Sequence, residues 1–600
     1  MSGGKTRIRG IVTNNTWIVL DFETSNQNKY SCQIDRVCVG EFYTLTGRST
    51  MTQDISWRGQ GFGSTKRNQL IRWLSSPQPK IAHNAGYELH LLKRLGIQVK
   101  GEVHDTYQMA KQWRNDLPAY DLKSLSWLLF GDLYLPLTKV REWIHKHNLI
   151  GEDDIEFDMT KVPDGLVHNY CMHDIEATAR LASFFWPKVK DNYAYQQDTQ
   201  LVPLVERMED HGIQANVEYY DRFVRLGERR IRRNLRGAAE DLGVDLRKRK
   251  PTGNALREHL GERGEGRKTP TGMVRSDDVV LRDHEDSSAV RRVERVRTDQ
   301  KQVNTYARNI LSVVNDKGVF HAGLHQSAAI TRRFIAKGLY GDSGVIAKGQ
   351  VQNFPRGQGI RTGIVVPDGF KMVKMDLASI EPRLASHAMN VFLGFDFYCE
   401  KYKADDKFNM YLYVIENHTD HGKVTKKDPL YIAYKHGCLG VQYGVGVDTF
   451  HRTMVENFEL PYTWDECDEI YKTIRGECPE FSKLQRAVSS IVESQGYIED
   501  DFGSRYYVPE GAYKGVNYYC QGCAGNVLKW WWLKVDKLMQ GTKDYSFLTV
   551  HDELDCAIWN DRGAKARVKS YCDVLAGLDI FSLPIIAEAS DLVDNWADAG

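Results

Sequence analysis

The sequence predicts a multidomain protein that combines an α/β part with an α+β part. The chain has 600 residues, and domains usually contain about 100–200 residues, so several domains or subdomains are expected. Residues 1–195 alternate β-type runs with helical runs, which is typical of an α/β domain. From residue 196 onward, mostly helical stretches separate β-type segments that end on acidic residues. This second pattern favours an α+β arrangement.

The composition is that of an ordinary globular protein, with 42% hydrophobic and 26% charged residues. The 80 basic and 79 acidic residues leave a net charge of +1, so a basic surface for nucleic acid must be local. The 11 cysteines lack paired zinc-type spacing, which predicts reduced core thiols. No apolar run is long enough for a signal peptide or a membrane helix, so we expect a cytoplasmic protein with no membrane partner.

The first element of chemical interest is a predicted buried strand at residues 18–24. It carries Asp21 and Glu23, and residues two apart on a strand point to the same side, as metal ligands should. Residues 83–88 open a predicted helix that carries Glu88, and residues 170–174 begin another that carries Tyr170 and Asp174. Each acid alone is as well explained by a capping or surface role, whereas the ordered set favours a metal site.

An arginine stripe follows along one side of a predicted helix. Its residues recur every three or four positions, and a second basic cluster follows at residues 247–250. Such residues contact nucleic-acid phosphates without sequence preference, and a solvated charged face is the alternative interpretation. The stripe comprises Arg222, Arg225, Arg229, Arg232, Arg233 and Arg236.

Two later β-type segments end on carboxylates. Asp376 closes one of them, and residues 547–550 and 553–558 flank a two-residue connection that places His551 and Asp552 at a predicted hairpin tip, followed by Glu553. Acidic residues at the ends of separate strands commonly hold Mg²⁺. A pair of such ions stabilises the attacking and leaving oxygens of phosphoryl transfer. A D-x-x-x-E-x-x-R string by itself is more typical of a solvated helix start.

The segment at residues 431–444 is predicted to be helical. Tyr431, Lys435, Leu439 and Tyr443 are spaced by four and therefore share one helical face.

These segments resemble the three polymerase motifs of family A DNA polymerases. The first family motif, D-Y-S-Q-I-E-L-R, is matched at Asp376, Ile380, Glu381 and Arg383, and the third, V-H-D-E, is matched in full by residues 550–553. The second motif, R-x3-K-x3-F-x3-Y-G, is matched at Lys435, Tyr443 and Gly444, whereas Tyr431 replaces the arginine and Leu439 the aromatic residue.

Three shorter segments extend the resemblance. Residues 331–333 resemble the family's T-G-R, with Arg332 in place of the glycine, residues 352–355 resemble Q-N-x-P, and residues 517–522 resemble N-x3-Q-G. The resemblance implies that these segments approach the primer and template. The DNA-contact candidates are Arg333, Gln352, Asn353, Asn517, Gln521 and His551, with Arg229, Arg232, Arg233 and Arg236 of the stripe.

The amino-terminal acids resemble the DEDD 3′–5′ exonucleases of the tyrosine type. The resemblance implies a ribonuclease-H-like fold in which Asp21, Glu23, Glu88 and Asp174 bind metal and Tyr170 orients the attacking water. Glu88 stands where the family has aspartate. The whole chain is then expected to be a ribonuclease-H-like exonuclease domain followed by a right-hand polymerase. The expected bounds are 1–195 for the exonuclease and 196–600 for the polymerase, with the thumb at about 216–320, the palm at about 321–394 and 536–600, and the fingers at about 395–535.

The resemblance implies a template-directed DNA polymerase with a proofreading exonuclease. Catalysis is expected to use two Mg²⁺ ions per active site, with Mn²⁺ as the alternative, bound in the polymerase by Asp376 and Asp552. The nucleotide-contact candidates are Lys435, Tyr443, Glu381, Leu439 and Tyr431. Glu553 is a further catalytic candidate. The expected partners are primer–template DNA and dNTPs, with a replisome helicase, a primase and a processivity factor as further candidates.

Other interpretations remain open at this stage. The first acidic motif lies by residue 21, which leaves no room for an amino-terminal 5′-nuclease domain and favours a phage-like replicative enzyme in a host cytoplasm over a repair polymerase. Tyr431 and Leu439 keep open a second interpretation, an exonuclease with a polymerase-like DNA-binding platform. A non-catalytic replisome scaffold is the third, and retention of both acid sets argues against it.

Overall fold

The computed structural model describes residues 16–58, 63–147, 149, 158–243, 255–256, 258–261, 284, 286–458 and 460–600. The basic cluster at residues 247–250 lies outside this part of the chain. The described residues confirm the predicted mixture of helices and sheets. Among the described residues, no helix is long and apolar enough to cross a membrane.

The strands are numbered here in chain order. They are β1 Thr16–Thr24, β2 Ile34–Tyr43, β3 Ser49–Ser56, β4 Lys80–Ala82, β5 Val103–Asp105, β6 Ile213–Ala215, β7 Val319–His325, β8 Ile335–Tyr340, β9 Ile346–Ala347, β10 Ile364–Val365, β11 Phe370–Leu377, β12 Tyr497–Glu499, β13 Arg505–Tyr507, β14 Tyr545–Val550, β15 Glu553–Trp559 and β16 Ala587–Ala589.

The α-helices are numbered in the same way. They are α1 Ser64–Leu74, α2 Gly86–Arg94, α3 Thr106–Trp113, α4 Leu122–Phe130, α5 Leu135–Lys146, α6 Asp164–Val189, α7 Tyr193–His211, α8 Val217–Leu242, α9 Ser288–Gln300, α10 Arg308–Val313, α11 Ile380–Leu393, α12 Phe397–Ala404, α13 Met410–His418, α14 Pro429–Tyr443, α15 Val447–Asn457, α16 Trp464–Glu477, α17 Pro479–Gln495, α18 Gly515–Met539 and α19 Ala564–Asp573.

The chain forms two compact units. The first contains residues 1–210, 326–334 and 491–537, and the second contains residues 211–325, 335–490 and 538–600. The segments at 326–334 and 491–537 therefore group with the amino-terminal part, although the expected domain bounds assign them to the palm and the fingers. The domain bounds themselves stay a prediction.

The first unit is built on a mixed five-stranded sheet with the order β3-β2-β1-β4-β5. Strand β1 pairs antiparallel with β2 and parallel with β4. Its side chains alternate between two cores, because successive residues of a strand point to opposite faces. Trp17 and Val19 pack on the face covered by α6, and Ile18, Leu20 and Phe22 pack with α1 and α2.

This alternation sets the direction of the first acidic pair. Asp21 and Glu23 have the parity of Trp17 and Val19, so they follow the face that α6 covers. Helix α6 begins at Asp164, so Tyr170 lies in its second turn. The expectation that a helix begins at Tyr170 is wrong in its start, because the six residues before it are also helical.

The second unit contains two sheets. An antiparallel sheet has the order β10-β6-β7-β8-β9, and a second sheet has the order β14-β15-β11-β16. Strand β11 lies inside the second sheet and pairs antiparallel with both β15 and β16. Strands β14 and β15 are joined by the two-residue connection that the sequence predicts.

Helix α8 packs along α9 in the second unit. Arg230 donates to Asp299 at 2.7 Å, and the end of the Arg292 side chain lies over Gly237, where a Cβ atom would be 2.2 Å from its Nη1 atom. Tyr220, Asn234 and Ala238 are buried. The stripe residues Arg222, Arg225, Arg229, Arg232, Arg233 and Arg236 are all exposed.

The first unit also contains a fully buried ion pair. Lys529 Nζ on α18 lies 2.7 Å from Asp198 Oδ1 on α7, and neither side chain is exposed to solvent. Burial lowers the pKa of Lys529, while Asp198 acts in the opposite direction. Removing one partner would leave the other charge buried and unpaired, which is far more costly than the loss of a surface pair.

We expect Lys529→Met to lower the free energy of unfolding of the first unit by about 3 kcal/mol, because Asp198 would keep a buried charge. Denaturant-induced unfolding followed by tryptophan fluorescence measures this. Lys472→Met is the matched control, since Lys472 pairs with Asp468 at the surface with 76% of its side chain exposed, and we expect it to cost less than about 1 kcal/mol. Equal losses in the two variants would contradict the prediction.

Candidate active sites

The sheet of the second unit brings the predicted polymerase acids together. Asp376 on β11 lies directly opposite Glu553 on β15. The Leu377 backbone N–H donates to the Asp552 carbonyl at 3.1 Å, which ties the end of β11 to the β14–β15 turn. Glu588 on β16 lies opposite Asp376 on its other side. The end of the sheet therefore carries acidic residues on three neighbouring strands.

The charge of this group is partly balanced by a lysine that sequence analysis did not identify. Lys374 Nζ lies 2.8 Å from Glu553 Oε2. Partial burial raises the pKa of Asp376 to about 6, with Glu553 and Asp552 acting in the same direction and Lys374 against them. The group thus holds more negative charge than its one close lysine neutralises, which favours binding of a cation.

The donor atoms at this site suit Mg²⁺, which prefers oxygen ligands. Asp376 is exposed and Asp552 half-buried, so both carboxylates are accessible to an ion. Glu553 is 5% exposed, and its Oε1 atom is buried without a hydrogen-bond partner within the described chain. A buried carboxylate oxygen of this kind is satisfied when a cation or its water shell lies nearby.

The backbone around both acids adopts an uncommon conformation. His551 has a φ of 56° and Ser379 a φ of 50°, both in the left-handed region that non-glycine residues rarely adopt. His551 forms the turn that aims Asp552, and Ser379 connects Asp376 to the start of α11. Backbone strain of this kind is found where a structure must aim a side chain.

Helix α14 carries the predicted nucleotide-contact face. Its start is capped by Asp428, which accepts from the Leu430 N–H, and its end by Gly444 in the left-handed conformation. Lys435 and Tyr443 are half-buried. Tyr431 and Leu439 are buried, and the Tyr431 hydroxyl accepts from Asn409 Nδ2 at 3.1 Å. Only two of the four face residues are therefore substantially accessible.

The residues that follow Asp376 have separate roles. Glu381 lies in the first turn of α11 and is half-buried. Arg383 is 1% exposed and donates to three carbonyl oxygens, those of Ala378, Pro584 and Asp406. The arginine shared with the family motif is thus a structural residue that holds the start of α11.

The Q-N-x-P segment is held within the second unit. Gln352 Nε2 donates to the Thr549 carbonyl at 3.1 Å, and its Oε1 atom accepts from the Ala336 N–H at 2.9 Å. Both ends of this amide therefore connect β8 to β14, so Gln352 supports the strand that leads to the predicted metal site. Asn353 is exposed.

Helix α18 of the first unit collects three DNA-contact candidates. Asn517 and Gln521 are half-buried, one turn apart, between residues that are buried. Arg333 lies along the same helix, because a Cβ atom at Gly525 would be 3.3 Å from Arg333 Cγ. The structure thus brings together Asn517, Gln521 and Arg333, which lie as much as 188 positions apart in the sequence, as the numbering shows.

The amino-terminal acids also come together in the first unit. Ligand atoms of Asp21, Glu23 and Cys171 all lie within 4.8 Å of one another. Glu23, Glu88 and Asp174 are buried, with exposures of 6%, 5% and 2%. One oxygen of Glu88 and one of Asp174 are buried without a hydrogen-bond partner in the described chain. This carboxylate-rich donor set fits divalent ions such as Mg²⁺.

Burial and repulsion between neighbouring carboxylates dominate the electrostatics of this group. Burial, followed by the neighbouring Asp174 carboxylate, raises the pKa of Asp21 to about 8, and Lys123 acts in the opposite direction. Burial and then Asp21 raise the pKa values of Glu23 and Glu88 well above the ordinary range. Burial and mutual repulsion therefore disfavour the ionised forms of these carboxyls, and a divalent cation bound among them would favour those forms.

Lys123 and Tyr134 are site residues that sequence analysis missed. Lys123 Nζ lies 2.8 Å from Asp174 Oδ2 and 5.0 Å from the centre of the Tyr170 ring. A groove of about 520 Å³ opens beside them and is lined partly by Trp127 and Tyr134. A single lysine between two predicted motifs has no sequence signal of its own, because only the fold brings α4 to the acids.

Comparison with known proteins identifies the family. The family model for DNA polymerase family A matches residues 228–597, which is more than half of the chain. The chain is 23% identical over 561 residues to DNA polymerase I of Pseudomonas aeruginosa, covering 87% of this chain and 56% of that protein. It is 23% identical over 473 residues to the DNA polymerase of Escherichia phage T5, covering 71% of this chain and 53% of the phage protein. The chain thus spans about half the length of these relatives.

A solved structure extends the comparison to the fold. The structure of the polymerase domain of Pol1 from M. smegmatis in complex with DNA primer-template and dNTP superposes with a TM-score of 0.72 at 17% identity, covering 97% of this chain and 96% of that one. At this identity the comparison shows a shared fold. Together with the family match, it establishes that the chain belongs to DNA polymerase family A.

The raised carboxyl pKa values predict a pH-dependent stability of the metal-free protein. An acid whose pKa is higher in the folded state binds more protons there, so stability falls as the pH rises from about 4 to about 8. Across this range we expect the free energy of unfolding of the wild type to fall by more than about 1 kcal/mol relative to that of Asp21→Asn. Thermal unfolding at fixed ionic strength in a chelator measures the difference, and Mg²⁺ should reduce it at pH 8.

Glu176→Gln is the control for this measurement, since Glu176 lies on α6 but is exposed. An exposed carboxylate is solvated in both states, so its removal should leave the pH profile unchanged. A constant difference between wild type and Asp21→Asn from pH 4 to pH 8 would contradict the prediction. The wild type and Asp21→Asn share the other residues that face this group, which are Asp174, Tyr170, Cys171 and Lys123.

Proposed function

We propose that this member of DNA polymerase family A is a template-directed DNA polymerase that extends a primer with dNTPs and proofreads with a 3′–5′ exonuclease. The observation that carries the proposal is the pairing of β11 with β15, which places Asp376 beside the turn that holds Asp552. In the resembled family these two positions bind the catalytic metal ions. The exonuclease proposal rests on the separate acid group of the first unit.

We assign the polymerase metal ligands to Asp376 and Asp552. Family A polymerases generally use divalent metal ions, and two such ions, when bound, stabilise the charge that develops during phosphoryl transfer. The residues of this chain would determine where those ions bind. β11 and the strained His551 turn hold the two carboxylates, and Lys374 pairs with Glu553 beside them.

The nucleotide is assigned to the exposed part of the α14 face. Lys435 is the residue that neutralises the triphosphate, and Tyr443 with Glu381 shapes the pocket for the sugar and base. Tyr431 is buried against Asn409 and carries no charge, so it cannot replace the bidentate phosphate contact of the family's arginine. Lys435 therefore carries a larger share of triphosphate binding in this chain.

The exonuclease is assigned to Asp21, Glu23, Glu88 and Asp174 as metal ligands. Tyr170, one helical turn before Asp174 on α6, would hold the attacking water. The order β3-β2-β1-β4-β5, with the acids on the central β1, supports a ribonuclease-H-like domain. Lys123 Nζ lies 2.8 Å from Asp174 Oδ2 and supplies positive charge beside the acids, and the exposed Trp127 ring in the adjacent groove offers a stacking surface for a base of a single-stranded 3′ end.

Duplex DNA is assigned to two surfaces. The arginine stripe of α8 would contact backbone phosphates, and Arg333, Asn517 and Gln521 would contact the primer–template near its end. The relation to the phage T5 polymerase supports a replicative role. A helicase, a primase and a processivity factor are further partners of such a role.

One observation favours a second candidate function. Because Tyr431 is buried where the family has arginine, the second unit could bind primer–template without incorporating nucleotides. The protein would then be an exonuclease with a polymerase-like platform. An assay of primer extension and primer shortening on labelled DNA separates the two functions.

A labelled primer–template with Mg²⁺, tested with and without dNTPs, measures both activities. We expect Asp376→Ala to reduce extension by about a thousandfold or more and to preserve 3′ shortening, because only one metal site loses a ligand. Asp21→Ala should do the reverse. Asp368→Ala is the control, since Asp368 is an exposed acid just before β11. Shortening without extension by the wild type would support the platform function.

The stripe predicts a salt dependence of DNA binding. Each phosphate contact contributes a slope of about −0.9 to the dependence of log affinity on log salt concentration. We expect the variant with both Arg229→Gln and Arg233→Gln to lose about 2 units of slope, measured by fluorescence anisotropy across a salt series in a chelator. Arg562→Gln, at an exposed site on another part of the surface, should leave the slope unchanged. An unchanged slope in the double variant would exclude the stripe as a phosphate-binding surface.

A further inference from the structure

Arg332 occupies a backbone position that is unfavourable for arginine. Its φ of 58° lies in the left-handed region, and its side chain is buried, with 1% exposure. Such a conformation favours glycine, the residue that the family's T-G-R has here. This chain therefore accepts backbone strain and the burial of a charge at one residue, next to the DNA-contact candidate Arg333.

The guanidinium of Arg332 contacts two other elements of the first unit. Its Nη1 atom donates to Gln112 Oε1 on α3 at 2.7 Å, and its Nη2 atom donates to the Arg505 carbonyl on β13. Its Cζ atom lies 4.7 Å from the centre of the Tyr506 ring, also on β13. These contacts use both terminal nitrogens, so they restrict the position of the group between α3 and β13.

The contacts continue into the buried ion pair. Gln112 Nε2 donates to Asp198 Oδ2 at 2.6 Å, and Lys529 Nζ lies 2.7 Å from Asp198 Oδ1. Lys529 also donates to Ser327 Oγ at 3.1 Å, and so returns to the segment that carries Arg332. We call the four side chains Arg332, Gln112, Asp198 and Lys529 the buried polar chain.

Helix α18 connects the end of this chain to the surface. Lys529, Gly525, Gln521 and Asn517 are spaced by four and lie on one face of the helix. The face changes from fully buried at Lys529 to half-buried at Gln521 and Asn517. At Gly525 it contacts Arg333, whose Cγ atom would lie 3.3 Å from an added Cβ.

The contacts therefore form a closed circuit. One route leads from Arg333 through Arg332 and the buried polar chain to Lys529, and the other leads from Arg333 across Gly525 along the face of α18. Hydrogen bonds are directional, so these contacts fix the relative positions of their members more narrowly than an apolar core of the same size would. The left-handed backbone at Arg332 accompanies a side chain whose guanidinium makes specific hydrogen bonds to α3 and β13, rather than one that only fills space.

We propose that Arg332 is a positioning residue for primer–template binding. Through the buried polar chain it holds Arg333 in register with Gln521 and Asn517, so that the three side chains present one surface to the end of the duplex. The proposal rests on the proposed function, because it takes DNA as the ligand of that surface. It assigns no catalytic step to Arg332 itself.

The test measures binding of a fluorescent primer–template in a chelator, so that neither active site turns over. Arg332→Gly restores the family residue and removes the guanidinium. Gly525→Ala leaves the buried polar chain intact and forces Arg333 to shift from the helix by a few tenths of an ångström, so it serves if Arg332→Gly fails to fold. We expect each change to weaken DNA binding about tenfold, as for loss of one well-placed contact.

The decisive comparison uses an Arg333→Ala background. If Arg332 acts through Arg333, then Arg332→Gly and Gly525→Ala should each change the affinity less than about twofold in that background. His90→Gln is the control, because it breaks the buried 3.0 Å contact of His90 with Glu206 in the same unit. It should lower the thermal midpoint and leave DNA affinity unchanged.

Two results would overturn the inference. One is a folded Arg332→Gly protein with wild-type affinity, and the other is a full effect of Arg332→Gly in the Arg333→Ala background. Failure of the proposed function is distinguishable, since it shows as absence of extension by the wild-type protein with dNTPs. The binding measurement still decides the role of Arg332 in that case, because it requires no catalysis.

Discussion

Repulsion between closely placed carboxylates is the constraint on which both candidate sites depend. Each site contains several acids in a small volume, and such a group is destabilising unless a cation is present. In each unit one lysine supplies part of the missing charge. Lys123 lies 2.8 Å from Asp174 in the first unit, and Lys374 lies 2.8 Å from Glu553 in the second. One ammonium group offsets only part of the repulsion that arises when these acids ionise, so each group favours a bound cation. In the second unit Arg356 and Arg361 add positive charge near the acids.

The same constraint explains where the backbone is strained. The described chain has five non-glycine residues with positive φ, and all five lie in or next to a candidate site or the DNA-contact segment. Asn84 precedes the helix of Glu88, Tyr134 lines the groove beside the amino-terminal acids, and Ser379 and His551 flank Asp376 and Asp552. The fifth is Arg332. Strain of this kind persists only where the surrounding packing outweighs its cost.

The two units use different means to hold their functional side chains. In the second unit, direct strand pairing aligns Asp376, Glu553 and Glu588, so the hydrogen bonds of the sheet set the spacing. In the first unit, the DNA-contact candidates come from segments far apart in the chain, and no strand pairing connects Arg333 to Asn517 within the described residues. Buried polar side chains supply that connection instead. A polar interior costs stability but specifies one arrangement.

Several features of the fold and the sites were predictable because their signals are local. Alternation along β1 determined that Asp21 and Glu23 share a face, the two-residue connection determined the β14–β15 turn, and spacing by four determined the face of α14. Period, turn length and helical spacing depend only on neighbouring residues. By contrast, Lys123, Lys374 and Glu588 carry no pattern that identifies them as site residues. The burial of Tyr431 and Arg383 and the hydrogen bonds of the Gln352 amide likewise depend on partners distant in sequence.

The sequence by itself thus determined which residues could perform the chemistry and on which faces of their own elements they lie. The tertiary structure decided which charges compensate the acids, which matching motif residues are structural, and how Arg332 connects Arg333 to α18. The physical reason is that electrostatic and packing energies depend on distances in space. Those distances are set by contacts between residues that are hundreds of positions apart in the chain.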